Sequence, residues 1–313
     1  MTVDWEMDYI GILVTDIDKG IEHYRHVGMD LLAPAELKTF CGGNDVPPLE
    51  FTHCFLQNEA LRIELVQPAG KGIFNEHLVK PGEGVIYFEF RVNDLPKEKS
   101  RLVEMGIPIV ASNTRLDGSD GEVIFDTRKY GNVMIALFNE PISFPVFRPS
   151  AGRWKLDHFG WVVKDTDKFA EYYQMIGFKA LSPPRTMIFN FSKDLNHTQH
   201  GKKPIPAVPQ ETRAVQFQNK QATFLLEVNS PGHDGSMYRE FLDTRGEGID
   251  HIHFLVDDGI KELEDMAVKG FEPLSYSKNR QGKVDEAVFD TRQVGNVCIS
   301  LWSGKPPFKP KPE

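Results

Sequence analysis

Histidine and the acidic residues are the side chains through which this chain could bind a metal or move a proton near neutral pH. The segment Asp250-His251-Ile252-His253 places two imidazoles two residues apart in a run that alternates like a strand, so both lie on one face. Asp157-His158 opens a second strand-like run, DHFGWVVKD, and Glu227 lies in a third, TFLLEVNSP. Singly, each histidine is more often a structural group than a ligand, so these residues matter only if the fold gathers them. A further pair, His197 and His200, stands beside Lys202 and Lys203 in the polar segment SKDLNHTQHGKKPIPAVPQETR (192–213). On so irregular a stretch HxxH is a weak metal motif. The segment reads equally as a cover for an anionic substrate or as a surface excursion.

The elements that must position these residues come from an internal repeat. EVIFDTRKYGNVMIALF (122–138) returns as EAVFDTRQVGNVCISLW (286–302), 164 residues on (286 − 122). GEGVIYFEFRVNDL (82–95) returns as GEGIDHIHFLVDDG (246–259) at the same spacing. ALRIELVQP (60–68) pairs with TFLLEVNSP (223–231), and DYIGILVTDID (8–18) with DHFGWVVKDTD (157–167). The spacing shrinks toward the N-terminus, which puts an insertion at 192–213, expected to be a loop. Two halves follow, 1–141 and 153–306. A proline-rich link, PISFPVFRPSAGR, joins them, and a tail expected to be mobile, GKPPFKPKPE, ends the chain. Within each half, strand-like runs precede amphipathic stretches that end at glycine, such as TDKFAEYYQMIGF and GIKELEDMAVKGF. The repeating unit is a strand, a helix and about three strands, four times over. The fold class is therefore α+β. FDTR stands in both halves, so an Asp-Thr turn with Arg128 or Arg292 pairing locally is the first reading. Substrate carboxylate binding by Arg292 is the second.

Composition narrows the partners. With 313 residues and a net charge of −9, the chain does not present the positive surface that nucleic acid or anionic membrane rewards. The three cysteines, Cys41, Cys54 and Cys298, are sparse and odd in number, which suggests reduced thiols. The acidic N-terminus MTVDWEMDYIG is no secretory signal and no apolar run is long enough to span a bilayer, so a soluble cytoplasmic protein is expected.

A strand beginning Asp-His, a helix ending in Gly and a later IEL-type strand together resemble the vicinal-oxygen-chelate superfamily, which includes glyoxalase I, methylmalonyl-CoA epimerase and extradiol dioxygenases. REFLDTRGEGIDHIHFLVDD (239–258) is similar to the epimerase, whereas the two-domain length is similar to an extradiol dioxygenase. The resemblance implies four βαβββ modules in two tandem glyoxalase-like domains, a metal-free one (1–141) and a catalytic one (153–306). It implies one divalent metal, Fe, Mn, Co, Ni or Zn, on His158, Glu227 and His251, with Ser300 where the superfamily has a fourth, glutamate ligand. The equivalent N-terminal positions are Tyr9, Glu64, Tyr87 and Ala136. They lack imidazole, so Glu64 is expected as a hydrogen-bonded carboxylate and the tyrosines as core aromatics.

Three functions are open at this point. One is metal-assisted enolisation of a small substrate with adjacent oxygens, an epimerase or isomerase, with His253 and Glu211 as candidate bases. Another is Fe(II)-dependent ring-cleaving dioxygenation, with His253 or Tyr276 handling protons and Ser300 leaving room at the metal. The third is a non-catalytic drug- or metabolite-binding protein. A homodimer is possible in each case.

Overall fold

The computed structural model describes residues 3–42, 48–115, 118–140, 145–189, 195–196, 210–218, 225–231, 237–278 and 284–304. The first half runs β1 (Glu6–Leu13), α1 (Ile17–Val27), β2 (Asp30–Leu31), β3 (Glu36–Gly42), β4 (Leu49–Gln57), β5 (Arg62–Pro68), α2 (Ile73–Val79), β6 (Gly84–Arg91), α3 (Leu95–Glu104), β7 (Ile109–Thr114), β8 (Asp120–Phe125) and β9 (Met134–Phe138). The second runs β10 (Trp154–Val162), α4 (Thr166–Ile176), β11 (Lys179–Ala180), β12 (Arg185–Phe189), β13 (Leu195–Asn196), β14 (Gln210–Gln218), β15 (Leu225–Pro231), α5 (Met237–Arg245), β16 (Gly248–Val256), α6 (Gly259–Val268), β17 (Pro273–Lys278), β18 (Val284–Phe289) and β19 (Cys298–Trp302).

Each half builds one sheet around an antiparallel central pair, β1 with β6 and β10 with β16. A parallel strand flanks each member of the pair: β5 and β9 in the first sheet, β15 and β19 in the second. The first sheet curls so far that β4 pairs with both β3 and β5. These are four βαβββ modules, as expected.

The four module helices start alike. Asp16, Asp94, Asp165 and Asp258 are the N-caps, and each accepts a hydrogen bond from the backbone N–H of a lysine three residues on, Lys19, Lys97, Lys168 and Lys261. The Asp-x-x-Lys pattern thus marks all four modules, because the cap satisfies an orphan N–H of the first turn. The insertion is shorter than expected at its C-terminal end. Gln210–Arg213 belongs to β14, because QETRAVQF pairs with β12 and β15. His197, His200, Lys202 and Lys203 lie outside the described residues.

The sheets meet through their backs. Phe88 of β6 packs edge-on against Phe159 of β10, ring centroids 5.1 Å apart, and Trp161 lies 5.7 Å away. The repeated GEG and GNV motifs lock this interface reciprocally. Glu83 accepts from Thr15 N (2.7 Å) in its own half and from Gly295 N (2.7 Å) in the other. Glu247 accepts from Lys164 N (2.7 Å) and from Gly131 N of the first half (3.3 Å). FDTR is structural in both halves. Asp126 holds Arg128 and Asp290 holds Arg292, while Thr127 and Thr291 donate to Val133 O (2.7 Å) and Val297 O (2.6 Å). Cys54 and Cys298 are buried free thiols. No helix among the described residues is long and apolar enough to cross a membrane.

With the backs packed, the concave faces of the two sheets are left for chemistry. The N-terminal cup is filled by Tyr9, Phe40, Phe51, Phe55, Phe74 and Tyr87. His77 of α2 is buried beside it, and burial, with the Arg128 charge, pushes its pKa down to about 4 from 6.5. Its folded value lies below its unfolded one, so the stability it contributes is present above pH 6.5 and lost as pH falls toward 4. Between pH 7 and 4, the wild type is expected to lose on the order of 3 kcal/mol more than His77→Gln does, read from urea midpoints at each pH.

Candidate metal centre

Strand register gathers the C-terminal cup. His158 pairs with His253 and Gly160 with His251 across β10 and β16, and Gly160 also pairs with Glu227 on β15. Ser300 of β19 pairs with His253. Directly opposed residues share a face, so His158, Glu227, His251, His253 and Ser300 all line one surface. Gly160 lies between His251 and Glu227. A Cβ added there would come within 1.9 Å of His251 Cε1, so the His251 ring lies across β10, on the side from which Glu227 approaches. The N-terminal half shows the same geometry completed. Tyr87 lies over Gly11 in the same way, and its hydroxyl donates to Glu64, the counterpart of Glu227.

The two imidazoles are aimed. His158 Nδ1 is 2.8 Å from Asp157 Oδ2, and His251 Nδ1 is 3.1 Å from Asp250 Oδ2. A carboxylate can only accept, so each Nδ1 carries a proton, and in a neutral ring Nε2 then presents a lone pair. The two Nε2 atoms face each other at 3.2 Å. Two lone pairs at that distance repel, so either a proton on one Nε2, which makes the contact a hydrogen bond, or a metal ion lies between them. Burial works against a charged His251, but Asp250 and Glu227 outweigh it and raise its pKa, so the spot attracts positive charge. Glu227, itself buried, is steadied by Gln216 Nε2 (3.3 Å) and Asn229 Nδ2 (3.2 Å). Two imidazoles and a carboxylate, each oriented by an outer hydrogen-bonding group, are donor types that suit a first-row divalent metal. The ligand atoms of His158, Glu227 and His251 do not, however, all lie within 4.8 Å of one another in this structure; among the described residues only those of Asp157, His158 and His253 do. Asp250→Asn is expected to weaken that metal about 10–100-fold with little change in fold, read by competition with a coloured chelator.

His253 stacks on His158 with centroids 4.3 Å apart, and its Nδ1 lies 3.4 Å from the same Asp157 oxygen. Asp157, His158 and His253 are close enough to hold an ion themselves. Asp157, however, is already bonded to His158 Nδ1, while His253 Nδ1 has no hydrogen-bond partner among the described residues. Burial would raise the Asp157 pKa, yet the hydrogen bond from His158 and the nearby His253 imidazole hold it well below the usual carboxylate range. It therefore serves better as a brace for the rings than as a ligand. Burial and the neighbouring His158 and His251 lower the pKa of His253 despite Asp157.

Sequence reasoning missed Glu286. It pairs with Trp302 on β19, two residues from Ser300, and so shares the cup face. Burial raises its pKa against the pull of His253 and His251. Its counterpart Glu122 begins the other FDTR repeat, and that recurrence was the available signal. Tyr276 is a correction: it pairs with Ala287, next to Glu286 and hence on the opposite face, and packs on the core behind the sheet. Glu211 lies in β14 opposite Ile188, and its side chain is outside the described residues. Arg292 is engaged by Asp290.

Residues 8–125 match the family model of the Glyoxalase/Bleomycin resistance protein/Dioxygenase superfamily. No curated protein matches the chain. The structure is similar to a triple mutant of 4-hydroxymandelate synthase from Streptomyces coelicolor, with 14% identity, a TM-score of 0.66, and coverage of 97% of this chain and 94% of that one. It is also similar to a xylose isomerase-like TIM barrel/4-hydroxyphenylpyruvate dioxygenase fusion protein, with 11% identity, a TM-score of 0.55, and coverage of 98% of this chain and 50% of that one. The sequence match to this superfamily is thus confined to residues 8–125 of the N-terminal half, and the whole chain shares the fold of the two solved structures.

Proposed function

We propose that His158, His251 and Glu227 hold one divalent metal, Fe(II) foremost, and that the protein is a metal-dependent oxygenase acting on a small substrate with two adjacent oxygens. The observation that carries this is the pair of Nε2 atoms 3.2 Å apart, each on a ring whose Nδ1 is tied to an aspartate. A bound ion would polarise the two substrate oxygens and, as iron, supply the one-electron chemistry that oxygen activation needs. The protein's own part is arrangement. Asp157 and Asp250 fix the rings, and Gly160 gives His251 room. Ser300, in place of a fourth carboxylate, leaves space on the β19 side. His253, stacked on His158 with its Nδ1 3.4 Å from Asp157, offers an imidazole for a substrate proton. The two similar structures favour oxidation over the epimerase reading, because one is named as a dioxygenase fusion.

Enolisation stays as the second reading, on the strength of two proton-accepting groups in the cup, His253 and Glu286. The test begins with protein purified without oxygen or chelator. Its metal is measured, then oxygen uptake with catechols and aryl 2-oxo acids, and deuterium wash-in with hydroxyketones. Iron with substrate-dependent oxygen uptake is the expected result. Deuterium at the α-carbon without oxygen uptake would replace it with enolisation. Protein that takes up no metal would leave only a binding role.

A further inference from the structure

Taking the C-terminal cup as the proposed substrate site, we infer that Tyr238 of α5 binds substrate, its hydroxyl donating to an oxygen of the bound molecule. The repeat gives Tyr238 a counterpart in the first half, Phe74 of α2, 164 residues earlier (238 − 74). The two rings occupy equivalent places. Phe74 stacks on Tyr87 with centroids 6.1 Å apart and planes at 21°, and Tyr238 stacks on His251 at 6.2 Å and 19°. Apolar packing is enough to hold the ring in the first half, where Phe74 is fully buried with its centroid 5.4 Å from that of Phe51. At the same register the second half carries a hydroxyl, the one heavy atom by which the two side chains differ.

That hydroxyl is set among polar groups. α5 lies against β10, β15 and β16, the strands that carry His158, Glu227 and His251. Met237 seats the helix on Leu274, Val288 and Cys298, yet none of its residues is fully buried. Tyr238 is half-buried, and the charges of Asp250, Glu227 and Glu286 reach its hydroxyl. A phenol is protonated at neutral pH, so it enters the cup as a donor. Among the described residues no group accepts a hydrogen bond from it. Four buried polar atoms on or beside the cup face also have no partner among the described residues: Asp250 Oδ1, Asn229 Oδ1, His253 Nδ1 and Ser300 Oγ. Asn229 and Ser300 share the face of Glu227 and His253 by strand register. Buried polar groups left unpaired are costly, so the cluster points to a molecule that completes them. With acceptors on Asp250 and Asn229 and a donor on Tyr238, the cup suits a small molecule bearing both hydroxyl and carbonyl oxygens.

The test compares the full chain with Tyr238→Phe, which copies Phe74 and keeps the stacked ring. Both proteins are purified without chelator and their metal is counted. Each is then titrated with 4-nitrocatechol and with phenylglyoxylate, followed by absorbance and calorimetry. Binding of at least one probe about 10-fold weaker in Tyr238→Phe is expected, the loss of one hydrogen bond. Metal content and melting temperature should be the same in both proteins. Equal affinities, or an unaltered protein that binds neither probe, would overturn the inference. Metal content reports on the proposed function separately. Unequal affinities in a protein that holds no metal would remove the metal and keep Tyr238, and equal affinities in a metal-bound protein would do the opposite.

Discussion

His251→Ala is expected to lose more than about 100-fold in metal affinity and to stay folded, because it removes a ligand from a lined cup and leaves the packed backs of the sheets intact. The equivalent change in the first half should do the reverse. Tyr87 is 1% exposed, stacks near Phe74 and bonds Glu64. Tyr87→Ala opens a cavity and deprives a buried carboxylate of a donor, so a stability loss of about 3–5 kcal/mol is expected, with metal content unchanged. Calorimetric metal titration and urea unfolding of both variants check the contrast. The two positions are 164 apart (251 − 87) in a duplicated sequence, so they test whether one register now serves binding in one half and packing in the other.

Gly160→Ala should behave like a ligand deletion although glycine binds nothing. The new methyl would overlap His251 Cε1 at 1.9 Å, Nδ1 at 2.2 Å and Nε2 at 2.5 Å. The ring must swing off β10, breaking its line to Asp250 and its approach to the Glu227 side. A metal-affinity loss of about 100-fold is expected, as for loss of the orienting groups, with unfolding free energy nearly unchanged. Gly11→Ala places the same methyl 2.4 Å from Tyr87 Cζ, but that ring is wedged in a filled core and cannot yield. Overpacking there should cost about 1–3 kcal/mol and leave metal binding untouched. The same substitution in the two halves thus separates function from stability.

Much of this was legible in the sequence because the duplication carries its own register. Alternation in DHFGWVVKD and DHIHFLVDD put His158, His251 and His253 on strands, and the repeat aligned Glu227 with Glu64. The loss of imidazole at Tyr9 and Tyr87 read correctly as a filled cup. Other features need coordinates. Glu286 was hidden inside a repeat whose neighbouring FDTR is structural, and only strand pairing shows that it shares the face of His253 and Ser300. The aspartates preceding His158 and His251 act through ring nitrogens, which strand alternation cannot orient. The glutamates of the two GEG motifs bond across the halves, so their meaning depends on how the sheets pack. The insertion blurred the register of Glu211, and the strand edge there lay beyond reach of periodicity. Tyr276 shows the cost of one residue of uncertainty, since a single step along a strand exchanges cup for core.

The most direct test is the metal content of anaerobically purified protein, compared with that of His158→Ala, Glu227→Ala and His251→Ala. One first-row divalent ion per chain, lost in all three variants while each stays folded, is the expected result. An unaltered protein that binds none of Fe, Mn, Co, Ni or Zn, or variants that keep a full equivalent, would contradict the shared ion on which the proposed chemistry rests.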